Sequence, residues 1–82
     1  MEENPQITRR YFQLVLRQFR HKAGLTQEQV AEKIGVSVTY VGLMETGKKW
    51  PNVDMIFKLA KALDVRPVEL IQALDDEAEK GR

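Results

Sequence analysis

The punctuation of this chain limits its fold more than any other feature. Gly24, Gly35 and Gly47 are helix-ending residues. Each is soon followed by a residue suited to open a helix: Thr26, Ser37 and Asn52. Pro67 adds a fourth start, since proline fits the first helical position. "TQEQ" at Thr26 sets Gln29 three residues after the threonine, a capping box in which each side chain satisfies the other's backbone donor. No strand-like alternation runs long enough to compete. The chain therefore reads as all-α, five short helices with short connections.

Periodicity assigns each helix an inner side. The first helix runs from about Thr8 to Lys22, with Phe12, Val15, Leu16 and Phe19 on one stripe. The second buries Val30, Ala31 and Ile34. The third runs from Ser37 to about Glu45 and turns Val41 and Met44 inward. The fourth, from Asn52 to about Asp64, carries a wide apolar face of Val53, Ile56, Phe57, Leu59, Ala60 and Leu63. The fifth continues through Val68, Leu70, Ile71 and Leu74. Residues 1–7 are expected to be a flexible segment, 8–74 the folded domain and 75–82 a polar, frayed tail.

A chain of 82 residues forms one domain with one small core. Its 43% hydrophobic and 30% charged content fits a globular protein. It has no cysteine, which removes disulfides and thiolate metal sites. No apolar run approaches the roughly 20 residues that cross a membrane. The cytoplasm is the expected location. Net charge is +1, unevenly spread. Residues 1–50 hold eight Lys/Arg against five Asp/Glu, and residues 51–82 five against seven. That asymmetry suits a protein with one side toward phosphates.

The second and third helices are joined by "GVS". Small residues at Ala31 and Gly35 let the two helices cross closely and steeply, which is the geometry of a helix-turn-helix. The spacing from Gln27 through Ala31 and Gly35 to Val41 is common among helical proteins, so it does not suffice alone. The longer run "GLTQEQVAEKIGVSVTYVGLMETGKKWPNVDMIFKLAKALDV" closely resembles the phage-repressor and Cro type of helix-turn-helix family, often called Xre-like. The likeness covers Phe19 to about Ile71 and includes "LTQEQVA", "METGK" and "LAKALDV".

The resemblance implies a compact five-helix bundle of the phage-repressor DNA-binding type, with helix 3 in a major groove of double-stranded DNA. It implies phosphate contacts from Thr26 and Gln27, at a helix N-terminus that favours anions. Ser37, Tyr40, Lys48 and Lys49 belong to the same phosphate-facing set, with Thr46 included through the backbone N–H groups near it and Gly47. Each has a plain alternative: Thr26 as a cap only, Gln27 as solvated, the lysines as a solvated basic turn. It also implies an ion pair between Arg20 and Glu45, for which structural bracing is the favoured role. Trp50 is expected to pack beside Pro51 rather than lie on a sugar-phosphate ridge.

The family's base-reading positions fall on Val38, Thr39, Gly42 and Leu43. Many relatives carry Gln, Arg, Ser or Lys there, and this chain does not. Bidentate contacts to guanine or adenine are thereby lost. Val38 and Leu43 can pack on thymine methyl groups, and the Thr39 hydroxyl can reach a base edge. So limited a code favours a homodimer on a pseudo-palindromic operator. The surplus apolar residues Val65, Val68, Leu70, Ile71 and Leu74 are the expected dimer surface.

The function read from these residues is a small transcriptional regulator, a repressor or autoregulator. The alternative is a protein-interaction module, antitoxin-like or an adaptor, using the same fold; an apolar strip of Val38, Tyr40 and Leu43 would suit a protein partner. An enzyme is not expected. The lone His21 has no Cys or acidic cluster at metal-ligand spacing, and "GKK" lacks the strand and spacing of a phosphate-cradling loop. No cofactor, metal or small-molecule substrate is implied.

Overall fold

The computed structural model describes residues 5–81, with side chains described from Arg10 onward. The described residues form five helices in order: α1 Pro5–Lys22, α2 Gln27–Ile34, α3 Val38–Glu45, α4 Val53–Ala62 and α5 Pro67–Lys80. The described residues contain no strand. Helices as short as α2 and α3 are marginal alone in water, so packing and caps must hold them.

The caps form as the sequence dictates. Gln29 N–H donates to Thr26 Oγ1 at 3.0 Å, and Thr26 N–H donates to Gln29 Oε1 at 2.8 Å. Tyr40 N–H donates to Ser37 Oγ at 3.1 Å, and Met55 N–H donates to Asn52 Oδ1 at 2.8 Å. Gly35 closes α2 in the left-handed region at φ 75°, and both its N–H and that of Val36 donate to the Ala31 carbonyl. α4 ends differently: Asp64, not a glycine, takes the positive φ of 59°.

The core lies where α1 meets α3 and α5, α2 meets α3 and α4, and α4 meets α5. Val15, Leu16, Val30, Val41, Met44 and Leu59 are fully enclosed there, and Ala31 is buried where α2 packs on α3. Burying a side chain of Leu, Val or Met contributes roughly 1.5–3 kcal/mol.

The structure departs from the sequence-based expectation in three places. α1 already includes Pro5, inside the segment expected to be flexible; Met1–Asn4 lie outside the described residues. Proline is tolerated at a first turn, whose N–H groups have no helical partner. α5 does not stop at Leu74 but runs on to Lys80. Its last turns pair internally, Gln72 with Asp76 at 3.0 Å and Lys80 with Glu77 at 3.4 Å, and Gly81 lies against Tyr11 of α1. Arg82 lies outside the described residues. The apolar face of α4 is wider than its neighbours can cover. Leu59, Ala60 and Leu63 are buried, but Val53 is 72% and Phe57 59% exposed.

Candidate nucleic-acid interface

The carboxylate of Glu45 organises this end of the molecule. It is the last residue of α3 and only 2% exposed. Arg20 of α1 meets it as a fork: Nε donates to Oε2 at 2.6 Å and Nη2 to Oε1 at 2.9 Å. Gln27, the first residue of α2, donates its amide N–H to the same Oε1 at 3.0 Å. Arg17 donates to the Glu45 carbonyl at 2.7 Å, and Arg20 Nη1 donates to the Leu25 carbonyl at 3.0 Å. Three helices are thus tied at one point. The hydrogen bond to Glu45 raises the Arg20 pKa above the usual arginine value; burial opposes this, and the charge of Glu45 adds to it. The predicted Arg20–Glu45 pair is present, and Arg17 and Gln27 join it.

That knot fixes how α3 sits. Its inner side is Val41, Met44 and Glu45. Its outer side presents Val38, 41% exposed, then Thr39 one position on and Gly42 one turn on. Leu43 and Tyr40 are half-buried at the flanks, Tyr40 resting on the core. The exposed outer surface carries no charged side chain until Lys48. Gly42 has an ordinary helical backbone, and a Cβ there would meet nothing within 4 Å. A glycine at such a place costs the helix about 1 kcal/mol relative to alanine. Nothing in the protomer requires it.

The residues expected at phosphates divide into two groups. The Thr26 and Ser37 hydroxyls each accept a cap hydrogen bond, which leaves the hydroxyl hydrogen to donate outward. Both residues are exposed, and so are Lys48 and Lys49. Gln27 gives one amide hydrogen to Glu45 and keeps the other. Thr46 is different. Its hydroxyl donates back to the Gly42 and Leu43 carbonyls at 3.0 and 3.3 Å, so it is not offered to a phosphate. Serine and threonine near a helix end commonly bond back in this way. The backbone N–H groups of Lys48 and Lys49 likewise donate to the Leu43 carbonyl, and that of Gly47 to Met44. Of the loop's polar groups, the lysine side chains are left exposed to solvent. Trp50, expected to pack, remains 48% exposed beside them.

The expected dimer surface also needs correction. Leu70 is 1% exposed and belongs to the protomer's own core. Val65 and Leu74 are half-buried against that core, while Val68 and Ile71 stand exposed on α5. Leu70 and Ile71 are neighbours in sequence but lie about 100° apart around a helix of 3.6 residues per turn, so one faces in and the other out. Phe57 of α4, assigned to the core from periodicity, lies on the surface. It shares a shallow hollow with Val65 and Pro67, between α4 and α5.

Among the described residues no group of His, Asp or Glu is placed to hold a metal ion, and no helix is long and apolar enough to cross a membrane.

Comparison with known proteins agrees with this geometry. The helix-turn-helix family profile matches residues 16–70. An uncharacterized HTH-type transcriptional regulator of Archaeoglobus fulgidus is 36% identical over 67 residues, covering 82% of this chain and 94% of the relative. The crystal structure of the restriction-modification controller protein C.AhdI from Aeromonas hydrophila superposes with a TM-score of 0.69 at 42% identity, over 73% of this chain and 91% of that one. The controller protein C.Esp1396I, solved as a tetramer in complex with its natural 35 base-pair operator, is alike in fold, with a TM-score of 0.76 at 24% identity over 93% of this chain and 97% of that chain. With its α2–Gly35–α3 core, its Arg20–Glu45 brace and a profile match across most of its length, this chain belongs to the Cro and phage-repressor type of helix-turn-helix family.

Proposed function

We propose that this protein is a transcriptional regulator that binds double-stranded DNA sequence-specifically as a homodimer, with α3 in the major groove. The observation that carries this is the knot at Glu45. It holds α3 rigidly against α1 and the start of α2 while the Val38–Thr39–Gly42 side stays turned outward. In this arrangement Val38, Thr39, Gly42 and Leu43 face bases. Thr26, Gln27, Ser37, Tyr40, Lys48 and Lys49 hold phosphates on either side. Lysine charges and helix N-termini act without reading sequence, and fix register. Likeness to C.AhdI, a restriction-modification controller protein, supports a regulatory role. Homodimerisation would use Val68 and Ile71, with Phe57 in place of Leu70. The cytoplasm is the matching location.

The test is a hydroxyl-radical footprint on a DNA fragment retained by the purified protein. Two protected half-sites related by a two-fold axis, about one helical turn apart, are expected. A single unrepeated patch, or uniform weak protection, would count against a dimeric operator reader.

A further inference from the structure

We infer that α3 reads the presence of C5-methyl groups in the major groove rather than hydrogen-bonding edges, so thymine and 5-methylcytosine serve it alike. This rests on the proposed DNA-binding role and names what the binding surface recognises. The outward stripe offers Val38 and, at its flank, Leu43, both apolar, around Gly42. The polar side chains nearby are otherwise engaged or displaced. Thr46 returns its hydroxyl to the Gly42 and Leu43 carbonyls; Gln27, anchored to Glu45 by one amide hydrogen, and Tyr40, half-buried on the core, are assigned to phosphates. Thr39 alone on the stripe brings a hydroxyl to a base edge, and it brings a methyl group with it. A base-pair edge is therefore met almost entirely by hydrocarbon. In the major groove, the hydrocarbon a base presents is the C5-methyl of thymine, and methylation of cytosine at C5 places the same group there.

Gly42 supplies the second observation. Its backbone is ordinary helix and the space around it is open, so the fold gains nothing from the missing side chain. The gap lies between Val38 and Leu43 and lets the helix settle close enough for both to touch a methyl group.

The experiment begins with a duplex selected by the protein from a randomised synthetic pool. That site is remade with deoxyuridine for each thymine in turn, which removes the methyl and keeps every base-pairing edge. It is then remade with 5-methylcytosine·guanine or cytosine·guanine for the same thymine·adenine pairs. At the positions under α3, deoxyuridine is expected to weaken binding about fourfold per methyl, the effect of exposing one methylene-sized group. Cytosine should weaken it about as much as deoxyuridine, and 5-methylcytosine should recover most of the loss. The Gly42→Ala variant should melt no lower than wild type yet bind the thymine site less tightly. Equal affinity for thymine and deoxyuridine, with binding otherwise intact, would overturn methyl reading and leave the DNA-binding role standing. Unchanged binding by Gly42→Ala would overturn the close approach. If no duplex is selected from the pool, both readings fall.

Discussion

The guanidinium of Arg20 and the carboxylate of Glu45, 25 residues apart in sequence, face each other as a two-pronged pair at 2.6 and 2.9 Å, with the carboxylate almost wholly buried. Such a pair stabilises modestly as a pair, but losing one member strands a charge without water. Arg20→Met is therefore expected to lower the unfolding free energy by about 3 kcal/mol. The Arg20→Met/Glu45→Met double variant should lose less than that, because no charge remains to be stranded. Urea denaturation followed by circular dichroism separates the two. A double variant less stable than the single would show that Glu45 stabilises through partners other than Arg20, such as the Gln27 amide. The pKa of Arg20 is raised in the folded state, so its contribution is complete below the unfolded arginine value and disappears only as pH climbs through the folded value. Arg20 thus adds no pH dependence to stability near neutrality.

Gly35 and Gly42 both lie in open space, yet their replacement by alanine should act in opposite directions. Gly35 holds φ 75°, where a Cβ strains against its own backbone, so Gly35→Ala is expected to destabilise by about 1–2 kcal/mol. Gly42 has an ordinary helical backbone, and Gly42→Ala should stabilise by about 0.5–1 kcal/mol. Thermal melts of the two variants check this. Destabilisation by Gly42→Ala would mean that the protomer itself needs the glycine.

Lys48→Ala/Lys49→Ala should leave stability within about 0.5 kcal/mol of wild type, since both side chains are exposed. Its DNA affinity should fall. The slope of log affinity against log salt should become shallower by about 0.9 for each phosphate that is no longer neutralised. Binding titrations at several salt concentrations measure both. An unchanged slope would mean that this loop does not meet phosphate.

Leu70 and Ile71 give a contrast in the same helix. Leu70→Ala should cost about 2–5 kcal/mol in folding, as buried leucines do. Ile71→Ser, especially combined with Phe57→Ser, should leave the fold intact and shift sedimentation from dimer to monomer. Dimers that persist in the double variant would place the interface elsewhere.

What the sequence revealed about this fold was what is local. Thr26 with Gln29, Ser37 with Tyr40 and Asn52 with Met55 bond within one turn, so residue type and spacing decide them. The Arg20–Glu45 pair was legible because the family resemblance brought its two positions together. Arg17 and Gln27 were not, because their partner lies 28 and 18 residues away and only the packed helices create the meeting. Periodicity told which side of α4 is apolar but not how much of it a neighbour covers, and Val53 and Phe57 therefore lie outside. The same limit hid the split between Leu70 and Ile71. Thr46 escapes the sequence for a different reason. A hydroxyl near a helix end can serve its own backbone as readily as a ligand, and only geometry decides between them.

The most direct test of the regulatory role is the ratio of two affinities near physiological salt. Fluorescence anisotropy would compare a duplex selected by the protein with a scrambled duplex of equal length and composition. An operator reader should prefer the selected site by about a thousandfold or more, as specific DNA-binding proteins do. Equal affinity for both duplexes would contradict that role, and would leave α3 as a surface for some partner other than a DNA sequence.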